Sequence, residues 1–168
     1  MEASGKKSEI RLTDEERFRL IDIFAQSPIS IELYDKKGIL VDVNRACVNL
    51  FGLSSVEDVK GINLFDNPHL TEQTIIDLHS GKSVRYELAF DFDLIKKKKL
   101  YRTSREGVCF LECFINPTIN ENNEISGYIV HVNEITERKK AEEKLIRSEE
   151  IFRRIVEAST RGMYFYKL

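Results

Sequence analysis

Residues 84–94, "VRYELAFDFDL", place an apolar side chain at every second position: Val84, Tyr86, Leu88, Phe90, Phe92 and Leu94. That period predicts a strand through Leu94 with one face on a core and the other in water. Asp91 and Asp93 then share the solvated face, and the lysines at 96–99 form the exposed tip of a hairpin, charged enough to discourage edge pairing. "VCFLECFINPTI" at 108–119 follows a turn at Arg105–Gly107, and "ISGYIVHVNEI" at 125–135 follows a turn at Asn120–Glu124; both read as strands. In the last of them His131 falls with Ile129 and Asn133 on the solvated face. Nearer the start, "ISIELYDKKGILVDVN" reads as a hairpin. Ile29, Ile31 and Leu33 alternate inward, and Asp35 and Gly38 stand at the first and last positions of a tight turn.

Helical period appears elsewhere. Thr13 with Glu16 makes a capping box, the helix it opens carries Phe18, Ile21, Phe24 and Ala25 on one stripe, and Ser27-Pro28 ends it. Asn44 caps a short helix with a Cys47, Val48 and Phe51 stripe, stopped by Gly52. Residues 53–83 read as loops and helical pieces, including "TEQTIIDLHSGK", which ends at Gly81. From Thr136 the pattern changes. About 25 residues pass without Gly or Pro, in strong helix formers. At ~1.5 Å per residue they predict a rod ~37 Å long. Ala141, Leu145, Phe152 and Ile155 follow a 4-7-3 spacing that suits the seam of a paired helix, with Ser148 as its weak point.

The rod also repeats the beginning of the chain. Shifted by 134 positions, Glu15, Glu16, Phe18, Arg19 and Ile21 fall on Glu149, Glu150, Phe152, Arg153 and Ile155. Repetition at domain length marks a tandem array. We expect a loose polar leader at 1–12, one module with its leading helix at 13–136, a helical linker at 137–150, and the truncated start of a second module at 151–168, with "MYFYKL" as its first strand.

Composition removes several classes of function. With 26 basic and 28 acidic residues the net charge is −2, which gives no electrostatic case for nucleic acid. No apolar run approaches the ~20 residues of a membrane span, and the start lacks a secretory signal, so we expect a cytoplasmic segment without membrane contact. Cys47, Cys109 and Cys113 show no metal spacing, and Cys109 and Cys113 would lie ~13 Å apart on one strand face, too far to bridge. Small buried thiols are the plain reading. No nucleophile–base pair and no glycine-rich phosphate loop emerges, so this segment is not expected to be an enzyme.

Two runs carry a family likeness. "DKKG…VNRA…FG" between Asp35 and Gly52, and "ITERKKAEEKL" from Ile135 to Leu145, together resemble the PAS (PAS/PAC) sensory domain and its signalling helix, over about residues 13–160. The resemblance implies an α+β fold: a five-stranded antiparallel sheet with helices on one face and an enclosed pocket, flanked by an N-terminal helix and a long C-terminal signalling helix. It also implies a module that precedes a histidine kinase core in a prokaryotic signal-transduction protein, often in tandem. The family ends its last strand in Asp-Ile-Thr; here the run is Glu134-Ile135-Thr136, with Thr136 placed to cap the rod. Flavin photosensors of the family carry a reactive Cys in Asn-Cys-Arg-Phe, a motif this sequence lacks. Haem sensors use a His on the middle helix, where His79 and His69 lie, but a lone His near a helix end is more usually a surface or capping residue. The cofactor therefore stays open, with haem and flavin disfavoured.

Aromatic residues expected inside the sheet, Tyr86, Phe90, Phe92, Phe110 and Phe114, are candidates to line an apolar pocket roofed by Phe51, Ile75 and Leu78. Alternatively they pack against one another as core. Glu134, Thr136, Leu145 and Phe152 are the candidates for signal relay. The expected function is a sensory-input and dimerisation module that detects a small molecule or partner and passes the change down residues 136–160 to a kinase in cis. Its expected assembly is a parallel homodimer through that helix, assisted by the stripe of helix 14–26. The competing expectation is a ligand-free dimerisation scaffold.

Overall fold

The computed structural model of the chain describes residues 12–164, with side chains through 159. The expected leader therefore lies outside the described residues except for Leu12. Helix α1 (Asp14–Gln26) is opened by the Thr13/Glu16 capping box and closed at Ser27. A hairpin follows, β1 (Ser30–Asp35) and β2 (Leu40–Val43), and then α2 (Arg45–Phe51), capped by Asn44 and stopped by Gly52 in the left-handed conformation. Two 3-10 turns (Val56–Asp58 and Leu64–Asp66) lead to α3 (Glu72–His79). Next come β3 (Val84–Asp91), α4 (Phe92–Lys98), β4 (Val108–Ile119), β5 (Ile125–Glu134) and the long α5 (Thr136–Tyr164). The five strands form one antiparallel sheet in the order β2-β1-β5-β4-β3. The last strand thus lies at the centre of the sheet and leads directly into α5.

The helical segment between β2 and β3 covers one face of this sheet. Leu64, Leu70 and Leu78 from that segment meet Leu111, Cys113, Ile115, Tyr128, Val130 and Val132 from β4 and β5 in one buried cluster. A second cluster, Leu40, Val43, Cys47, Leu53 and Val59, sits under α2, and Tyr34 and Phe51 pack against both.

Three sequence expectations change. On β1 the inward residues are Ser30, Glu32 and Tyr34, which pair with Val132, Val130 and Tyr128 of β5; Ile31 and Leu33 take the outer face, and Ile29 is exposed. On β4 the buried residues are Cys109, Leu111, Cys113 and Ile115, so Phe110 and Phe114 point outward, Phe114 being exposed. Both errors have one cause: this sheet carries apolar side chains on both faces, so apolar alternation cannot tell which face is inside. The third change is at β3, which ends at Asp91 rather than Leu94. The Asp91 carboxylate accepts from the Asp93 and Leu94 amides and starts α4, a local alternative to the sheet ladder. Asp91 and Asp93 do not share a strand face. The lysines at 96–98 lie in the last turn of α4, where their charge suits the helix dipole, and are no hairpin tip.

Helix α5 is continuous through the expected linker and into the expected second module. Met163 and Tyr164 are its last residues and open no strand; residues 165–168 lie outside the described residues. Among the described residues no helix is long and apolar enough to cross a membrane.

Candidate functional site

The inner face of β1 brings chemistry into the interior. Glu32 stands between Val43 of β2 and Val130 of β5. The Tyr34 hydroxyl donates to Glu32 Oε2 at 2.6 Å, and the Cys47 thiol, from α2, lies 3.8 Å from Oε1. Burial is the largest influence on this carboxyl and raises its pKa, against the lowering effect of those two donors. Burial, followed by the Glu32 charge, likewise pushes up the Tyr34 and Tyr101 phenols and the Cys47 thiol, and takes the Cys113 thiol up to about 12. The Tyr86 phenol is raised by burial and then by Cys113, and it accepts a 3.3 Å hydrogen bond from Asn67 Nδ2. In this neighbourhood Tyr101 OH is buried without a hydrogen-bond partner, and the buried Ser30 hydroxyl has only the Cys47 thiol beside it.

Of the residues singled out as pocket lining, Phe51, Ile75, Leu78, Tyr86 and Phe90 do come together around the larger buried cluster. Phe51 and Phe90 meet edge to face at 5.5 Å, and Phe90 continues to the buried Phe92 at 5.1 Å. Phe110 and Phe114 do not belong to the site, because they stand on the opposite face of the sheet. Conversely, sequence reading missed Glu32, Tyr34 and Tyr101. The signal was available: Glu32 and Tyr34 share a period-2 face with Ser30, and only the apolar members of β1 were credited as inward. The three thiols are free and buried, as expected. His79 lies at the exposed end of α3 with its ring 4.7 Å from that of Phe65, and His69 is exposed, so neither faces the interior.

A second set of contacts joins this interior to α5. The loop after α4 docks on the C-terminus of α2: Thr103 Oγ1 donates to the Phe51 carbonyl at 2.6 Å and Ser104 N to that of Gly52 at 2.8 Å. Gly52 is held at φ +60, and a Cβ there would stand 2.7 Å from Arg105 Cγ, so only glycine permits this approach. Arg105 donates to the Leu50 carbonyl and, through both terminal nitrogens, to the Glu134 carboxylate at 3.0 and 3.3 Å, while its guanidinium lies 5.0 Å from the Phe92 ring centroid. Arg105 accordingly holds the Glu134 carboxyl below the usual carboxylate range.

Glu134 also accepts from Thr136 Oγ1, which itself accepts from the Phe110 amide at 3.0 Å. Thr136 is therefore no N-cap; the first helical bond of α5 runs from Lys139 N to the Ile135 carbonyl, and the Thr136 hydroxyl is used to pin the helix to β4. One turn on, Arg138 and Lys139 contact Glu87 at 2.6 and 2.5 Å on the outer face of β3. Glu134 thus ends β5 at the junction, and Thr136, expected to cap the rod, pins it to β4 instead. Leu145 and Phe152 lie further along α5, exposed at 62% and 68%.

No protein-family model matches the chain, and no curated protein matches it by sequence. Solved structures do. A PAS domain from Colwellia psychrerythraea is 18% identical with a TM-score of 0.55, covering 72% of this chain and 98% of its own. An RNA-binding light-oxygen-voltage receptor is 18% identical with a TM-score of 0.63, covering 85% of this chain but 40% of its own. The PAS domain of an HTR-like protein from Haloarcula marismortui is 16% identical with a TM-score of 0.51, covering 72% of this chain and 93% of its own. With the five-stranded antiparallel sheet, the strand order and the covering helices, these likenesses give the conclusion that the chain has a PAS fold.

Proposed function

We propose that the chain is a sensory-input and dimerisation module that detects a small molecule inside its fold and relays the change through α5 to an output domain, a histidine kinase in our reading. The observation that carries this is the bridge made by Arg105. One side chain grips the carbonyl end of α2, which roofs the interior, and the carboxylate of Glu134, which ends β5 just before α5. A ligand can bias such a bridge by its differential affinity for two states, and ~1–3 kcal/mol is the usual scale of such coupling.

Dimerisation is supported by surfaces that a lone chain leaves open. No residue of α1 is buried, and Phe18, Leu20, Ile21 and Ile23 are exposed on it. An isolated helix of this length is marginal in water, so a covering partner accounts for its formation. The seam residues Leu145, Phe152 and Ile155 are exposed as well, which suits a parallel pairing of α5. We further propose that 137–150 is a linker and 151–168 the start of a second module, that catalysis belongs to the output domain, and that the segment works in the cytoplasm without contacting nucleic acid. The near-balanced charge supports the last point.

The exposed seams favour a second reading equally well: a scaffold with a filled core whose task is dimerisation alone. Native mass spectrometry of protein purified from cells separates the two. A reproducible bound small molecule is the expected result, and a protein that arrives empty and stays so against metabolite extracts would leave only the scaffold.

A further inference from the structure

A buried carboxyl with no cation beside it is costly, and such groups persist where something else offsets the cost. Glu32 is in this position. Its one strong hydrogen bond comes from Tyr34, the Cys47 thiol is a weak donor at 3.8 Å, and none of the groups that shift its titration is a cation. Ionised, it has about four acceptor positions, most of them unused. Glu32 is also deep without being sealed, since it keeps part of its surface accessible although burial dominates its titration. Nearby the Tyr101 hydroxyl is buried with no partner, and the hydroxyl of Ser30, a residue only 3% exposed, has only the Cys47 thiol, a weak bonding group, beside it. Buried polar atoms are nearly always paired in folded proteins, so an unpaired phenol and a weakly paired hydroxyl near an under-used carboxylate mark a place that a donor-bearing molecule would complete.

The phenols around this point narrow the chemistry. The Tyr34 hydroxyl sits on Glu32, the Tyr86 and Tyr101 phenols are near enough to sense its charge, and phenol rings near a carboxylate suit an organic cation. Phe51 and Phe90 supply an apolar wall nearby. We propose that this interior takes a small ligand with a protonated amine or amidine head, held by Glu32 among Tyr34, Tyr86 and Tyr101, with its apolar body toward Phe51 and Phe90. This rests on the sensory reading above and narrows it to one ligand class. An acidic ligand would meet Glu32 with no cation among the groups that shift its titration, and a neutral one would gain nothing from the ionised carboxylate.

Binding should be linked to protons. Tyr34 on β1 and Cys47 on α2 contact Glu32, Tyr86 on β3, Cys113 on β4 and Tyr101 in the loop before it sense its charge, and all five have their pKa values pushed up. Glu32 is the one carboxyl among them, its pKa raised by burial, and an ammonium ligand would favour its ionised form. Amine affinity should rise with pH through the raised Glu32 pKa.

Thermal-shift and calorimetric titration of the wild-type chain and of Glu32→Gln tests this with a matched set: 2-phenylethylamine and benzamidine, 3-phenylpropionate and benzoate, and 2-phenylethanol. The expected result is stabilisation by the amine or the amidine, none by the acids or the alcohol, and an affinity loss of about tenfold or more in Glu32→Gln. Glu32→Gln without ligand should melt no lower than wild type, because it removes a buried ionisable group. A preference for acids or the alcohol, an amine shift that survives Glu32→Gln, or no shift from any member would overturn the proposal. The sensory reading is judged separately: a neutral or acidic molecule carried from cells would end the amine class and leave the sensor standing.

Discussion

Asn44 uses its whole side-chain amide on backbone. Its Oδ1 accepts from the amides of Ile31 and Cys47, and its Nδ2 donates to the carbonyls of Phe24 and Ile29, so one residue 2% exposed ties the end of α1, the start of β1 and the first turn of α2. Asn44→Ala removes a helix cap and strands buried backbone groups, and we expect a loss of about 2–3 kcal/mol in denaturant unfolding. Asn44→Asp should recover part of it, keeping the acceptor but losing both donors. Glu134 gives a pH signature. Its pKa is lowered by Arg105, so the pair stabilises the fold above the ordinary value of 4.5 and that contribution fades as pH falls below it. Both side chains are about a third exposed, at 32% and 33%, so the effect is modest, below about 1 kcal/mol. Arg105→Ala should flatten this acid limb relative to wild type; an identical acid dependence would contradict the pairing. At this scale the sequence was legible where a residue acts on its own backbone, as at Thr13, Asn44 and Gly52. It was illegible where the partner is distant: no local pattern announces that Arg105 meets Glu134.

Among the elements, α4 shows how a short polar bond outweighs a long pattern. Alternation runs unbroken through Leu94, yet the Asp91 carboxylate caps a helix, and Phe92 becomes a buried helix residue instead of a strand one. Asp91→Ala should cost about 1 kcal/mol and raise hydrogen exchange through 92–98, with little change in β3. The other strands and helices follow their periods closely, and α1, α2 and β5 begin and end near the residues that the caps and turns marked. The misread faces of β1 and β4 arise because Ile31, Leu33, Ile129 and Phe110 make the outer face half apolar, so binary pattern alone fixes the strand but not its side. For α5 the expectation is an association. The wild type should sediment as a dimer at tens of micromolar, and Leu145→Glu with Phe152→Glu should sediment as a folded monomer. A monomeric wild type would remove the pairing of α5 from the proposal.

For the whole molecule, the order of the sheet sets what the fold can transmit. Strand β5 lies between β1 and β4, so its inward residues share a face with the Glu32 cluster while its end leads into the rod. The bridge from α2 through Arg105 to Glu134, the Thr136 hydroxyl on β4 and the ion pairs of Arg138 and Lys139 with Glu87 fasten that rod at several points. Coupling through such a junction needs a stiff chain of contacts with more than one arrangement, and the Arg105 bridge is the link most easily cut. Hydrogen-exchange mass spectrometry of residues 134–146 tests this directly, comparing wild type, Glu32→Gln, Arg105→Ala and the double variant. Glu32→Gln should change exchange in that segment, and the change should vanish when Arg105 is also replaced. Exchange in 134–146 that ignores Glu32→Gln, or that responds equally with Arg105 absent, would contradict a relay from the interior to α5.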